Sequence, residues 1–204
     1  TEEGTRVADT ALAVLALMAG GNTVASGPTL PNGVIGPETL RGPYATNVRA
    51  GLKYLAKLAW ADVPGKARGY IRDDATSKMH GHGFATLALA SACGNLGATD
   101  VRSIKEFVDR GGDPTNLRLA DQVRWAVDRA VECTERSQDS DQGGWSYVPG
   151  DGGHEGSMTV TQISALRAAT DAGIRVNGVV MGRAYDYVRR SQNRTTPRQH
   201  GGFA

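Results

Sequence analysis

Ser137 to Gly152 reads SQDSDQGGWSYVPGDG. A chain with only 6% aromatic residues places Trp145 and Tyr147 here, in a loop, behind Gly143 and Gly144 and a Gln/Asp run. A charged helical segment precedes the loop and an apolar one follows it. A chain returning from one helix to the next must turn sharply, which glycine permits. It must also cover two helix ends, and a flat ring does so with large buried area and few rotors. A glutamine ahead of the turn can hydrogen-bond bare terminal backbone groups. Trp145 therefore reads as a structural peg, with stacking on a ligand as the second reading.

Outward from this loop, apolar periodicity indicates helix nearly everywhere. Val7 to Ala19 is apolar on almost every side, the pattern of a helix buried all round. Asn47 to Trp60 is amphipathic instead. Val48, Leu52, Leu55 and Ala59 form one stripe, and Arg49, Lys53 and Lys57 the opposite one. The pair recurs. HGFATLALASACG (82–94) is small and apolar, and LADQVRWAVDRAVECTERS (119–137) is amphipathic. MTVTQISALRAATDAG (158–173) then precedes VVMGRAYDYVRRSQN (179–193). Gly20, Gly94 and Gly173 are the expected left-handed caps of the three inner helices. A Gly plus aromatic corner follows each outer helix: Gly69-Tyr70, Gly143-Gly144-Trp145 and Gly201-Gly202-Phe203. This is the signature of a helical-hairpin array. One all-α domain over 1–204 is expected, with repeats over 7–77, 78–153 and 154–204. The Gly20–Pro43 connection is long and rich in Gly and Pro, and Gly94–Arg118 holds a short helix in DVRSIKEFVDR. No strand pattern is expected.

Composition narrows the function classes. The chain has 204 residues, 40% of them apolar, enough for a core. A net charge of +2 without a basic run of five or more gives no nucleic-acid signal. Cys93 and Cys133 lie in no CxxC and read as two buried thiols rather than a disulfide. The start carries acids at Glu2, Glu3 and Asp9, where a signal peptide needs bases. The apolar run Ala11–Ala19 is too short to span a bilayer, so no transmembrane segment is expected. No initiator Met is present, and the end at QHGGFA suggests a chain cut from something longer. GDGGHEG lacks both the preceding strand and the Gly-Lys-Ser/Thr of a phosphate loop. No Gly-x-Ser-x-Gly elbow occurs.

The corner and outer-helix residues carry a family resemblance. Arg183-Ala184, Tyr187-Val188 and Gln192, then Gly201-x-Phe203, follow the QW repeat of squalene and oxidosqualene cyclases. Arg129-Ala130, Gln138 and Gly143-Gly144-Trp145 follow it with Cys133-Thr134 in place of the aromatic-aliphatic pair. Arg49-Ala50 and Tyr54-Leu55 match its start, with Ala59 where Gln would stand. The chain thus resembles the prenyltransferase and squalene-oxidase repeat superfamily, the terpenoid cyclase-like toroids. HGHGFATLALASACG and SMTVTQISALRAATDAGI look most like bacterial repeat proteins of a kind frequent in planctomycetes. The resemblance implies a partial α/α toroid of about three hairpins. It also implies either flanking repeats or self-association, and a protein of the bacterial cytoplasm or one exported with its signal removed.

The superfamily's chemistry supplies signatures to look for. Cyclases of this type protonate with Asp-x-Asp-Asp, one carboxylic acid being held protonated by its neighbours. The nearest match here is Ile71-Arg72-Asp73-Asp74, in which Arg72 favours ionised carboxylates. No catalytic set is assigned; Asp73, Asp74 and His82 are the residues from which one would be drawn. Zinc-dependent prenyltransferases use an Asp-x-Cys, which is missing. His80, His82 and His154 remain as metal ligands to test. On a helix, however, a His-x-His pair points its rings about 200° apart. Two other readings of His80 and His82 stand: caps at a close-packed corner between Gly81 and Gly83, or imidazoles at a helix N-terminus that favours anions. No cofactor is expected. Ligand-binding candidates are His80, His82, Trp145, Tyr147 and His154. Fold residues kept and catalytic motifs lost point to a binding or scaffold module for a hydrophobic small molecule or a protein segment. The alternative is an isoprenoid cyclase or prenyltransferase with residues outside this stretch. A polysaccharide-active enzyme would need an aromatic groove and paired carboxylates.

Overall fold

The computed structural model describes residues 6–31, 33–60, 67–72, 78–97 and 100–192. Among them, seven α-helices and one two-stranded sheet follow in the order α1 (Arg6–Ala19), β1 (Thr23–Ala25), β2 (Thr39–Arg41), α2 (Ala45–Trp60), α3 (Lys78–Leu96), α4 (Val101–Asp109), α5 (Leu119–Arg136), α6 (Gly156–Asp171) and α7 (Gly178–Ser191). The all-α class holds. Helix α4 fills the short helix read in 100–110, its N-cap Asp100 accepting from the Ser103 N–H. The strands are a correction. β1 pairs antiparallel with β2, Val24 opposite Leu40. Three residues each are too few for a period of two to show in sequence.

The helices pack in an order set by their apolar faces. α3 lies between α1 and α6, while α5 packs on both α2 and α3, and α7 on α6. α3 buries residues on nearly every side, from Met79 and His82 to Leu96. Small side chains allow this close approach: Ala85, Ala88 and Ala92 are buried. At Gly83, Thr161 and Gln162 of α6 occupy the place a Cβ would need. Gln162 also donates to the Met79 carbonyl at 2.8 Å, fixing the register of α6 on α3. α5 turns Val123, Val127 and Ala130 inward, as its periodicity requires.

Helix α1 departs from its expected burial. Val7, Ala11 and Val14 are buried, but Leu12 is 46% exposed. Its apolar circumference came from alanine and leucine on a face that no described element covers.

The caps are corrected too. The left-handed glycines after α1, α3 and α6 are Gly21, Gly97 and Gly173. They stand 76 residues apart in both intervals, a more regular spacing than Gly20, Gly94 and Gly173. Gly94 instead lies inside α3 with open space at its Cβ position, so nothing ends the helix there. At two of these caps the hydrogen bonds repeat: Asn22 N–H to Leu17 O, and Ile174 N–H to Ala169 O.

The corners after α2 and α5 share one device. Gly69 (φ +80) and Gly143 (φ +79) are both left-handed. A Cβ on Gly69 would strike the Arg129 carbonyl of α5, and one on Gly143 the Arg183 carbonyl of α7. Each corner thus lies on an Arg-Ala step, Arg129-Ala130 in α5 and Arg183-Ala184 in α7. The rings sit in different registers, because Ile71 occupies the position two after the glycine that Trp145 takes in the second corner. Gly201-Gly202-Phe203 lies outside the described residues. Cys93 and Cys133 are both free and buried. No helix among the described residues is long and apolar enough to cross a membrane.

Candidate functional site

The three described histidines lie at the N-terminal ends of α3 and α6 and face three different ways. His82 points into the core and is fully buried. Its Nδ1 accepts from the Ile71 N–H at 3.1 Å. That assigns the proton to Nε2, which lies 3.0 Å from Thr134 Oγ1. Thr134 in turn donates to the Ala130 carbonyl. The chain of donors is closed, and it holds His82 as a neutral imidazole. Trp145, 0% exposed, joins the same junction. Its Nε1–H donates to Thr134 O at 2.8 Å, and its backbone N–H to Thr159 Oγ1 at 3.1 Å. Tyr70 meets the His82 ring edge-on, with centroids 5.5 Å apart. Trp145 and His82 are thus committed to tying α3, α5 and α6 together, and present no ring face to solvent.

His80 faces outward, because it stands two residues before His82, about 200° round the helix. Its Nε2 lies 3.1 Å from Ser157 Oγ on α6. Ser157 donates to Glu155 Oε2 at 2.5 Å. Glu155 is the N-cap of α6 and also accepts from the Met158 N–H. These bonds, the serine's first, hold its carboxyl below the usual glutamate range. The serine proton therefore faces an ionised carboxylate, and its oxygen accepts from His80. Tyr147, 45% exposed, stands beside this group. Its ring is 6.2 Å from His80 and edge-on. Lys78 Nζ lies 5.7 Å from the centre of the same ring. Lys78 has φ 47, the one positive φ outside glycine among the described residues. A lysine in this region stores backbone strain, and the Met79 N–H bond to Tyr147 O holds it.

His154 faces a third way. Its Nδ1 is 3.2 Å from Asp139 Oδ2. Asp139 Oδ1 accepts from the Asp141 and Gln142 N–H groups at 2.8 and 3.0 Å. The Gln142 bond is the main cause that keeps the Asp139 carboxyl below the usual range, with Asp141 next. The His154 ring meets Tyr187 of α7 edge-on at 5.5 Å. Beside them opens a cleft of about 670 Å³ lined by Gln142, His154, Glu155, Tyr187 and Arg190 among others.

These directions bear on metal binding. His80 and His82 both lie in α3, so they diverge, and His154 reaches neither. Among the described residues, no group of three or more His, Cys, Asp or Glu is placed to hold a metal. Asp73 and Asp74 lie outside the described residues. Of the sequence candidates, the fold brings His80 and Tyr147 together, sets His154 nearby beyond Glu155, and withdraws His82 and Trp145 into the core. Lys78, Asp139, Glu155, Ser157 and Arg190 were missed. Glu155 had a signal, an acid just ahead of an apolar helix. Compared with known proteins, the chain matches no family model, no curated protein and no solved structure.

Proposed function

We infer that the chain is a non-catalytic binding module on the α/α-toroid plan. It docks a segment of another protein across the rim formed by the N-terminal ends of α3 and α6. In the toroid reading α1, α3 and α6 are the inner row, α2, α5 and α7 the outer one, with Gly-aromatic corners between hairpins. The evenly spaced cap glycines and the shared seating of Gly69 and Gly143 support it. One observation carries the docking reading: Lys78, His80, Tyr147, Glu155 and Ser157 converge on one rim, with the Tyr147 ring half in solvent. An aromatic face flanked by donors and acceptors suits an extended peptide. A hydrophobic small molecule needs an apolar cavity. The α3–α6 seam is instead filled by Thr161 and Gln162 against Gly83. Ser157 has no base to activate it, since its proton faces an acid of raised strength.

Peptide display against the purified protein tests the reading. A shared motif is expected to enrich, and to be lost with Tyr147→Ala and with His80→Ala while both variants melt like the parent. Equal enrichment by the variants would contradict the rim. Turnover of squalene or prenyl diphosphates would contradict the non-catalytic assignment.

A further inference from the structure

The cleft beside α7 is a separate feature, built from residues the rim does not use except Glu155. We propose that it is an oxyanion site, taking a carboxylate or phosphate group between Arg190 and protonated His154. Arg190 Nη2 donates to the Gln142 carbonyl at 2.7 Å. That bond anchors the guanidinium at the cleft wall and leaves its other N–H groups without a described partner. A guanidinium presents such donors in a planar fork that matches carboxylate and phosphate oxygens. Asp139 orients His154 from the far side. Its side chain is only 9% exposed, and its two turn N–H bonds fix its position. His154 Nδ1–H is thereby committed to Asp139, and Nε2 has no partner among the described residues. When His154 is protonated, Nε2–H becomes a second cationic donor.

The charged and titratable groups around His154 are Asp139, Glu155 at the start of α6, and Tyr187 and Arg190 on α7. Neither carboxylate is idle. Glu155 is occupied by the Ser157 hydroxyl and the Met158 N–H, and Asp139 by two turn amides and His154. Tyr187 packs edge-on against the imidazole and closes its inner side. A volume of about 670 Å³ admits more than a single oxyanion, so the group can belong to a larger molecule. The site does not depend on the docking of a segment at the rim, and failure of the peptide selection leaves it standing.

Calorimetry and ¹H–¹⁵N NMR of the whole chain test it, with sulfate standing in for a phosphate group because its charge is constant across the range, and acetate for a carboxylate. Sulfate is expected to bind about tenfold more tightly at acid than at alkaline pH, because only the doubly protonated imidazole carries an Nε2–H donor. Shifts should centre on His154, Gln142 and Arg190. Arg190→Ala should weaken binding at both pH values and keep the pH dependence, whereas His154→Gln should abolish that dependence. Tighter binding of sulfate than acetate identifies a phosphate site, and the reverse a carboxylate site. No binding of either anion, binding that maps elsewhere, or a pH dependence that survives His154→Gln overturns the proposal.

Discussion

Trp145 shows how one side chain decides between a binding surface and a core. Its indole has no exposed area and its N–H reaches the Thr134 carbonyl. Trp145→Ala removes the packing and opens a cavity, so a loss of about 3–5 kcal/mol is expected in urea unfolding. Trp145→Phe keeps most of the area and removes one of the two donors to the Thr134 carbonyl, which retains the Ser137 N–H, and a loss of about 0.5–1.5 kcal/mol is expected there. The buried thiol of Cys93 offers a second test. Burial pushes it up from 9.0 to about 11, with Arg124 pulling slightly the other way. Between those values the unfolded chain releases this proton and the folded chain keeps it. Its contribution to stability is therefore intact below pH 9 and falls as pH rises toward about 11. Denaturation midpoints measured from pH 8 upward should fall more steeply for the parent than for Cys93→Ala. Neither native cysteine should react with a thiol reagent at neutral pH, and both should react once unfolded.

At the scale of elements, glycine has opposite meanings at two positions close in space. Gly143→Ala forces a left-handed alanine against the Arg183 carbonyl, and a loss of about 2 kcal/mol or more is expected from strain and displacement together. Gly182→Ala sits within α7 with nothing near the added carbon, so a gain of about 0.5–1 kcal/mol is expected. Thermal melts of the two variants should move in opposite directions. Leu12→Gln should change stability by no more than about 0.5 kcal/mol, since its side faces solvent. A helix buried all round would lose several times that. Most helices were legible because 3.6-residue apolar periodicity survives in the sequence, as in α2 and α5. The caps were less so. Gly94 looked like a helix end, yet a helix tolerates an exposed glycine, and only the left-handed φ of Gly97 marks the true one.

The candidate site was legible only in part, for reasons that belong to the whole molecule. His80 and Ser157 are 77 residues apart, and their bond exists because α6 lies on α3. His154 and Asp139 meet through the fold of a loop whose glycines were visible, but whose path was not. The strain at Lys78 leaves no trace in composition. What the sequence did carry was the number and order of the helices and the glycine-rich corners between them. The two sides of α6 also differ. α6 carries Arg167 and Asp171 on its exposed side, bonded to each other at 3.1 Å. At the Gly83 seam, by contrast, α3 meets α6 with no side chain of its own.

Hydrogen exchange of the protein with and without a selected peptide tests the rim most directly. New protection is expected in the first turn of α3 and across residues 145–158, around Lys78, His80, Tyr147 and Ser157. Protection confined to the opposite ends of the helices, near Ser26, Leu96 and Arg118, would contradict it.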